Sequence, residues 1–355
     1  MLKRSLVVFL IAVFAALSAQ GQPKIVQPTL TPQNSGTTNG LIAVSPVNPQ
    51  VAWASGRAGT FVVTTDGGNT WKAGVVPGAE ALQFRDVQGV SAKVAYLQSI
   101  GGTPTDFRIY KTVDGGATWT MQFQNQNPGA FYDCFAFWTP KKGISHSDSV
   151  NGVFPDLRTT DGTTWQDISV NMPPALPVEG SFAASGTCVA TQGGQNAWIV
   201  TGASTIARVL ATRDGGDTWN AYDTPLVSSP SAGGFTVAFR NPWDGIVGGG
   251  DLDPSDPNNA RTATSSDGGV TWTLTNPPPV TGAIFGLAYS QGVGNGDGSR
   301  TVVVTANAGG AAWTPDDGTT WFGLPGVTGY WAVAFASPKA GWLVGTNGRI
   351  LKISF

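Results

Sequence analysis

One short phrase returns six times along the chain. It reads TTDGGNTW at Thr64 to Trp71, TVDGGATW at Thr112 to Trp119 and TTDGTTW at Thr159 to Trp165. It continues as TRDGGDTW at Thr212 to Trp219, SSDGGVTW at Ser265 to Trp272 and TPDDGTTW at Thr314 to Trp321. The leading aspartates, Asp66, Asp114, Asp161, Asp214, Asp267 and Asp316, are spaced by 48, 47, 53, 53 and 49 residues. A repeat of that length is one supersecondary unit that cannot bury its own faces, so its copies must stack on one another.

Each phrase carries turn chemistry. Aspartate accepts hydrogen bonds from backbone amides a few residues on, and glycine supplies positive φ without steric cost. The tryptophan at the end brings a large apolar face to the strand that follows. The pattern therefore reads as a hairpin joining two antiparallel strands. Six dispersed copies do not suit one catalytic site or one calcium site. The six aspartates are read as structural.

Four strands fit each repeat, with the aspartate turn between the third and the fourth. Three further strands, Tyr330–Ser337, Gly341–Gly345 and Arg349–Ser354, follow the sixth repeat, and no aspartate turn comes after them. A spare strand at the other end, Lys24–Leu30, supplies the missing fourth by pairing beside Arg349–Ser354. Closure of that kind leaves no open sheet edge there. The expected fold is all-β, one seven-bladed propeller over residues 22–355. Within it, the first strand of blade four is placed at Ser181–Ala190, that of blade six at Ala283–Ser290, and the fourth of blade three at Thr164–Val170.

Composition agrees. Of 355 residues 12% are charged, while Gly (48), Pro (24) and Trp (13) are plentiful, as many short strands and tight turns require. Residues 1–21 read as a signal peptide, with Lys3 and Arg4 before an apolar run from Leu6 to Leu17 that is too short to span a membrane. The mature protein is then expected in the periplasm or outside the cell, without a membrane span. The net charge of −2 and the lack of a basic stripe argue against nucleic acid. Cys134 and Cys188 are the only cysteines. In an exported chain they are either bridged or simply small buried residues.

Chemistry-bearing residues are few. The single histidine, His146, has no metal-spaced partners, which argues against a multi-histidine zinc site and against a Ser-His-Asp triad. Asp251, Asp253 and Asp256 crowd one loop, either to bind calcium or as a solvated connection, and lack the glycine and terminal glutamate of an EF-hand. Arg85, Asp86, Asp133 and Glu179 fall near comparable innermost strands and can converge at the mouth of the central channel, with Asp148 and Asp251 on neighbouring loops. Paired carboxylates there also suit glycoside hydrolysis. No metal, redox or dinucleotide cofactor site is evident.

The S/T-x-D-x-G-x-T-W phrase resembles the Asp-box, or BNR, repeat of sialidases, xyloglucanases and sortilin-type receptors, all of them propellers. FRIY at Phe107 to Tyr110 is only superficially similar to the sialidase arginine motif and stands in the wrong strand. A wider resemblance covers the mature chain. LQFRDV at Leu82–Val87, FYDCFAFWTPKKGISHSDSVNGVF at Phe131–Phe154, VEGSFAASGTC at Val178–Cys188, VGGGDL at Val247–Leu252 and WAVAFASPKAGWLVGTNGRILK at Trp331–Lys352 are similar to segments of the photosystem II stability/assembly-factor family and its bacterial relatives. That resemblance implies a non-enzymatic, monomeric scaffold without cofactors that binds another protein, in photosynthetic relatives a membrane-complex precursor. It also implies an arginine patch, onto which Arg85 (in FRDV) and Arg158 (in LRTTDG) map. The rival reading is a sialidase- or xyloglucanase-like glycoside hydrolase.

Overall fold

A computed structural model of the chain describes residues 27–253, 255, 260–291 and 300–355. The expected signal peptide lies outside these residues, as do Asp256 and the first three positions of the expected closing strand.

Seven four-stranded antiparallel sheets make up the molecule. Their first strands are Leu41–Pro46, Gln83–Gly89, Tyr132–Thr139, Val189–Gln192, Ala232–Phe239, Gly286–Tyr289 and Tyr330–Ser337. All seven line one central cavity of about 380 Å³, so each sheet is a blade that runs from the axis outwards. Antiparallel order puts the first-to-second and third-to-fourth connections on one face, here called the turn face. The other connections form the mouth face.

Blade seven closes as expected in kind, with a shift. Its outermost strand is Thr29–Asn34, paired Thr29↔Ser354 through Asn34↔Arg349. Only Thr29 and Leu30 belong to the stretch the sequence suggested. Gln33 fixes the seam: its Oε1 accepts from Nε1 of Trp342 in blade seven (3.1 Å) and of Trp71 in blade one (3.0 Å).

Between blades the core is aromatic and stitched by hydrogen bonds. Trp53, Trp198, Trp313 and Trp342 are fully buried. Indole Nε1 of Trp53 reaches the Ser91 carbonyl of the next blade at 2.8 Å, and that of Trp198 reaches Gly268 at 2.7 Å. A buried indole favours such an acceptor, here a carbonyl of a turn-face connection in the next blade.

Every aspartate turn has the same internal wiring. Thr64 Oγ1 donates to Asp66 Oδ1 (2.8 Å), the Gly68 amide donates to Thr64 Oγ1 (2.9 Å), and the Thr70 amide donates to Asp66 Oδ1 (2.9 Å). The matching bonds recur at Asp114, Asp161, Asp214, Asp267 and Asp316. All six lie on the turn face, at the outer ends of the blades, far from the axis.

Three expected strands are much shorter than the sequence suggested, and the first strand of blade six keeps only Gly286–Tyr289 of Ala283–Ser290. The fourth strand of blade three spans only Gln166–Asp167 and gives way to a single 3-10 turn, Ser169–Asn171. The first strand of blade four begins at Val189, eight residues later than expected. Residues 181–188 do not pair as a strand, and where they go shapes the candidate site. Among the described residues no helix is long and apolar enough to cross a membrane.

Candidate functional site

Near its mouth-face end, the first strand carries a β-bulge in five blades. The unpaired residue is Ile42, Arg85, Asp133, Phe235 or Trp331, according to the blade. A bulge re-aims one side chain out of the regular alternation. In four of these blades that side chain reaches a residue of another blade at the channel mouth.

Aromatic rings run around half of the mouth. Phe182 stacks on Phe235 at 4.0 Å between centroids, Phe235 lies 5.7 Å from Phe285, and Phe285 lies 5.1 Å from Trp331. The Arg85 guanidinium, from blade two, sits 5.5 Å from the centre of the Trp331 ring. Its Nη1 donates to the Ala183 carbonyl at 2.8 Å, which closes the circuit back to Phe182. Phe182, Phe285, Trp331 and Arg85 remain half-buried.

The segment Gly180–Thr187 explains the short strand of blade four. It leaves the blade and crosses the channel as a strap. Arg85 of blade two holds the carbonyl of Ala183. Asp148 of blade three accepts from the Ser181 amide at 2.9 Å. Thr187 Oγ1 lies 2.7 Å from Thr236 Oγ1 of blade five, and Ser185 Oγ donates to the Phe285 carbonyl of blade six at 2.6 Å. Gly186, at φ +74°, passes so close to blade two that a Cβ there would lie 2.5 Å from Asp86 Oδ1. Only glycine fits that approach and that dihedral.

Both ends of the strap are pinned. Glu179, 1% exposed, accepts from Arg208 Nε at 2.9 Å, from Thr201 Oγ1 at 2.6 Å and from the Leu176 amide at 2.7 Å. At the other end Cys188 is bridged to Cys134 of blade three, with Cα atoms 5.9 Å apart. The question left open by the sequence is settled in favour of the disulfide.

Most of the sequence-predicted site residues are thus brought together, but on the chain's own strap. Asp86 is buried and accepts the amides of Val87 (2.7 Å) and Phe135 (2.8 Å). Burial pushes its carboxyl well above the usual range against those two bonds. Asp133 is 1% exposed, and neither of its oxygens has a hydrogen bond of regular geometry. Its carboxyl faces that of Asp148 and the Ala183 amide; burial first, then the neighbouring Asp148 charge, push it well above the usual range. Burial raises Asp148 as well, against the Ser181 amide that lowers it. Burial also draws Arg85 down to about 10, helped by the charge of Arg57 and opposed by Asp133.

Arg158 lies elsewhere, and Asp251 stands on the mouth face but off the strap. Arg158 joins two aspartate turns on the turn face, with Nη1 2.6 Å from Asp217 Oδ1 and 3.2 Å from the Gly215 carbonyl. Asp251 ends the second strand of blade five and is engaged locally by Ser231 Oγ (2.9 Å) and the Asp253 amide (2.8 Å). His146 is fully buried, with Nδ1 2.9 Å from Asp156, and does not face solvent. Arg57, in contrast, is exposed beside the mouth. Among the described residues neither Arg57 nor Arg85 has a carboxylate within ion-pair distance.

The aromatic part of the mouth was not anticipated. Its signal was present, since Phe235 and Trp331 stand at the same bulge position as Arg85 and Asp133. Bulges are invisible in a single sequence, however, and the apolar rings read as ordinary core.

No family model matches the chain, and no curated protein matches it. Solved structures do. One described as YCF48 bound to D1 peptide superposes with a TM-score of 0.64 over 94% of this chain and 98% of its own, at 17% identity. YCF48 from Cyanidioschyzon merolae superposes with a TM-score of 0.60 over 92% of this chain and 98% of its own, also at 17% identity. The chain therefore shares the propeller fold of these YCF48 structures over nearly its whole length.

Proposed function

We propose that the chain is an exported, monomeric, non-enzymatic propeller that binds another protein across its mouth face. The observation that carries this reading is Arg85, which lies over the half-buried Trp331 ring and, like the exposed Arg57 beside it, has no carboxylate within ion-pair distance among the described residues. Arginine and aromatic anchors of this kind dominate protein interfaces. Such cations suit an acidic segment or a terminal carboxylate on the partner. A propeller of the same fold has been captured with a peptide, which supports a polypeptide ligand here. The Cys134–Cys188 disulfide supports export, because disulfides persist in oxidising compartments.

Glycoside hydrolysis needs two carboxyl groups facing one substrate cleft. Asp86, Asp133 and Glu179 are each at most 4% exposed, and Glu179 is committed to Arg208. This burial favours the scaffold reading over the hydrolase.

The test is affinity capture from the host's exported fraction, followed by titration of the purified partner. Arg85→Glu in a folded protein should weaken that titration at least tenfold, about 1.4 kcal/mol. Turnover of chromogenic glycosides or oligosaccharides by the wild-type protein, lost in folded Asp133→Asn, would overturn the reading.

A further inference from the structure

We propose, resting on the mouth-face reading above, that residues 172–178 form an aliphatic platform on which the partner segment lays apolar side chains, in line with the acidic group taken by Arg57 and Arg85. This stretch connects blade three to blade four across the mouth face. It reads MPPALPV and holds no charged residue. Pro174, Pro177 and Val178 are exposed, Val178 by 76%. Two more valines are exposed on the same face. Val170, at 93%, stands in the 3-10 turn Ser169–Asn171, which the Ile168 amide places at the mouth end of blade three by donating to the Asp156 carbonyl at 2.8 Å. Val153, at 46%, belongs to the loop whose Gly152 carbonyl accepts the Ala175 amide at 3.0 Å. An exposed apolar patch of this kind marks an interaction site.

Val178 is held in a backbone conformation that disfavours valine. The Glu179 amide donates to the Leu176 carbonyl at 3.2 Å, so Pro177 and Val178 are the corners of a β-turn, and Val178 sits at φ +52°. Proline at the first corner with positive φ at the second is the pattern of a type II turn, whose second corner favours glycine or asparagine. Among the described residues Val178 is the one β-branched side chain at positive φ. Its surroundings enforce that strain. The Glu179 side chain closes the turn again on the Leu176 amide at 2.7 Å, Arg208 Nη2 donates to the Pro174 carbonyl at 3.0 Å, and Ser204 Oγ donates to the Pro177 carbonyl at 2.8 Å. Strain that the fold over-determines collects at ligand clamps. A side chain this exposed returns little packing to the fold, so its use lies outside the chain.

The surroundings also select the occupant. Val178 leads through Gly180 and Ser181 into Phe182, the first ring of the aromatic arc that ends at Trp331 beneath Arg85. Apolar surface on blades three to seven thus borders two guanidiniums on blades one and two. A polypeptide segment that joins an aliphatic run to a carboxylate complements both parts. A bilayer surface calls for more cations than Arg57 and Arg85, and the net charge of −2 opposes an anionic membrane. A second copy docked mouth to mouth would set these guanidiniums against their own counterparts.

Val178→Asn keeps the turn, since asparagine takes positive φ readily, and removes the aliphatic group. Its melting midpoint should equal or exceed that of the wild type, and a lower midpoint overturns the clamp. A display library of random peptides with free carboxyl ends, panned on the mature chain, should yield aliphatic runs joined to an acidic residue or to the terminus. Val178→Asn should bind the selected peptides about fivefold more weakly, the share of one partly buried valine contact. Arg85→Glu should lose the acidic preference and keep the aliphatic one. Acidic peptides without an aliphatic preference, or unchanged affinity in Val178→Asn, overturn the platform and leave the mouth-face reading standing. A library that yields no binder overturns both. Binding to anionic phospholipid vesicles, or a dimer in sedimentation, that is lost in Val178→Asn would assign the platform to a membrane or to a second copy and overturn the proposal as well.

Discussion

Asp66 is half-buried, and the Thr70 hydroxyl and amide hold its carboxyl down at about 2. The same pair of bonds from Thr118 holds Asp114 at about 2. These aspartates are tuned to accept hydrogen bonds, not to exchange protons, which is the opposite of what an acid-base catalyst needs near neutral pH. The consequence can be measured at Asp214, whose Oδ1 takes the amides of Asp217 and Thr218, both at 3.0 Å. Asp214→Ala should cost about 1–2 kcal/mol of stability, as the loss of a capping acceptor does. Partner affinity should be unchanged. Denaturant melts and a binding titration check both halves. A variant that melts normally but no longer binds would show that the aspartate turns are functional.

The closing strand and the strap show, at the scale of elements, what a sequence can and cannot reveal. Local chemistry was legible. The aspartate turns lie where their Asp, Gly and Thr residues put them, because each is built from bonds within a few residues. The ring closure was legible in kind but shifted along the chain. The pairing of Thr29–Asn34 is set by Gln33 reaching two tryptophans about 40 and 300 residues away, and no short-range pattern encodes that. Gln33→Ala leaves two indole donors in the seam without their acceptor. It should lower stability by about 1–3 kcal/mol, measurable as a shifted urea midpoint with unchanged slope. The strap was misread as a strand because SFAASGTCVA is apolar and β-prone. What pulls it off the sheet are Arg85, Asp148, Thr236 and Phe285, each from a different blade. Repeat position points Arg85, Asp133 and Glu179 to the inner strands, and Asp148 to a loop beside them. That they grip the chain itself follows only from long-range contacts.

For the whole molecule, the seven blades form one closed ring whose two faces differ in character. The turn face is a set of repeated hairpins locked by their own aspartates. The mouth face carries the strap, the aromatic rings and the guanidiniums of Arg57 and Arg85. Its frame is stiff, because the ring is closed and the strap is pinned at both ends by the Glu179–Arg208 pair and the disulfide. Stiffness favours binding by limiting what must be ordered on association. The central claim is therefore about a face, and photo-crosslinking tests it most directly. A photoreactive residue placed at Phe285, on the mouth, should yield a discrete adduct with the partner in the exported fraction. The same residue at Trp243, 59% exposed on the turn face, should yield none. Adducts from position 243 with none from position 285 would contradict the account.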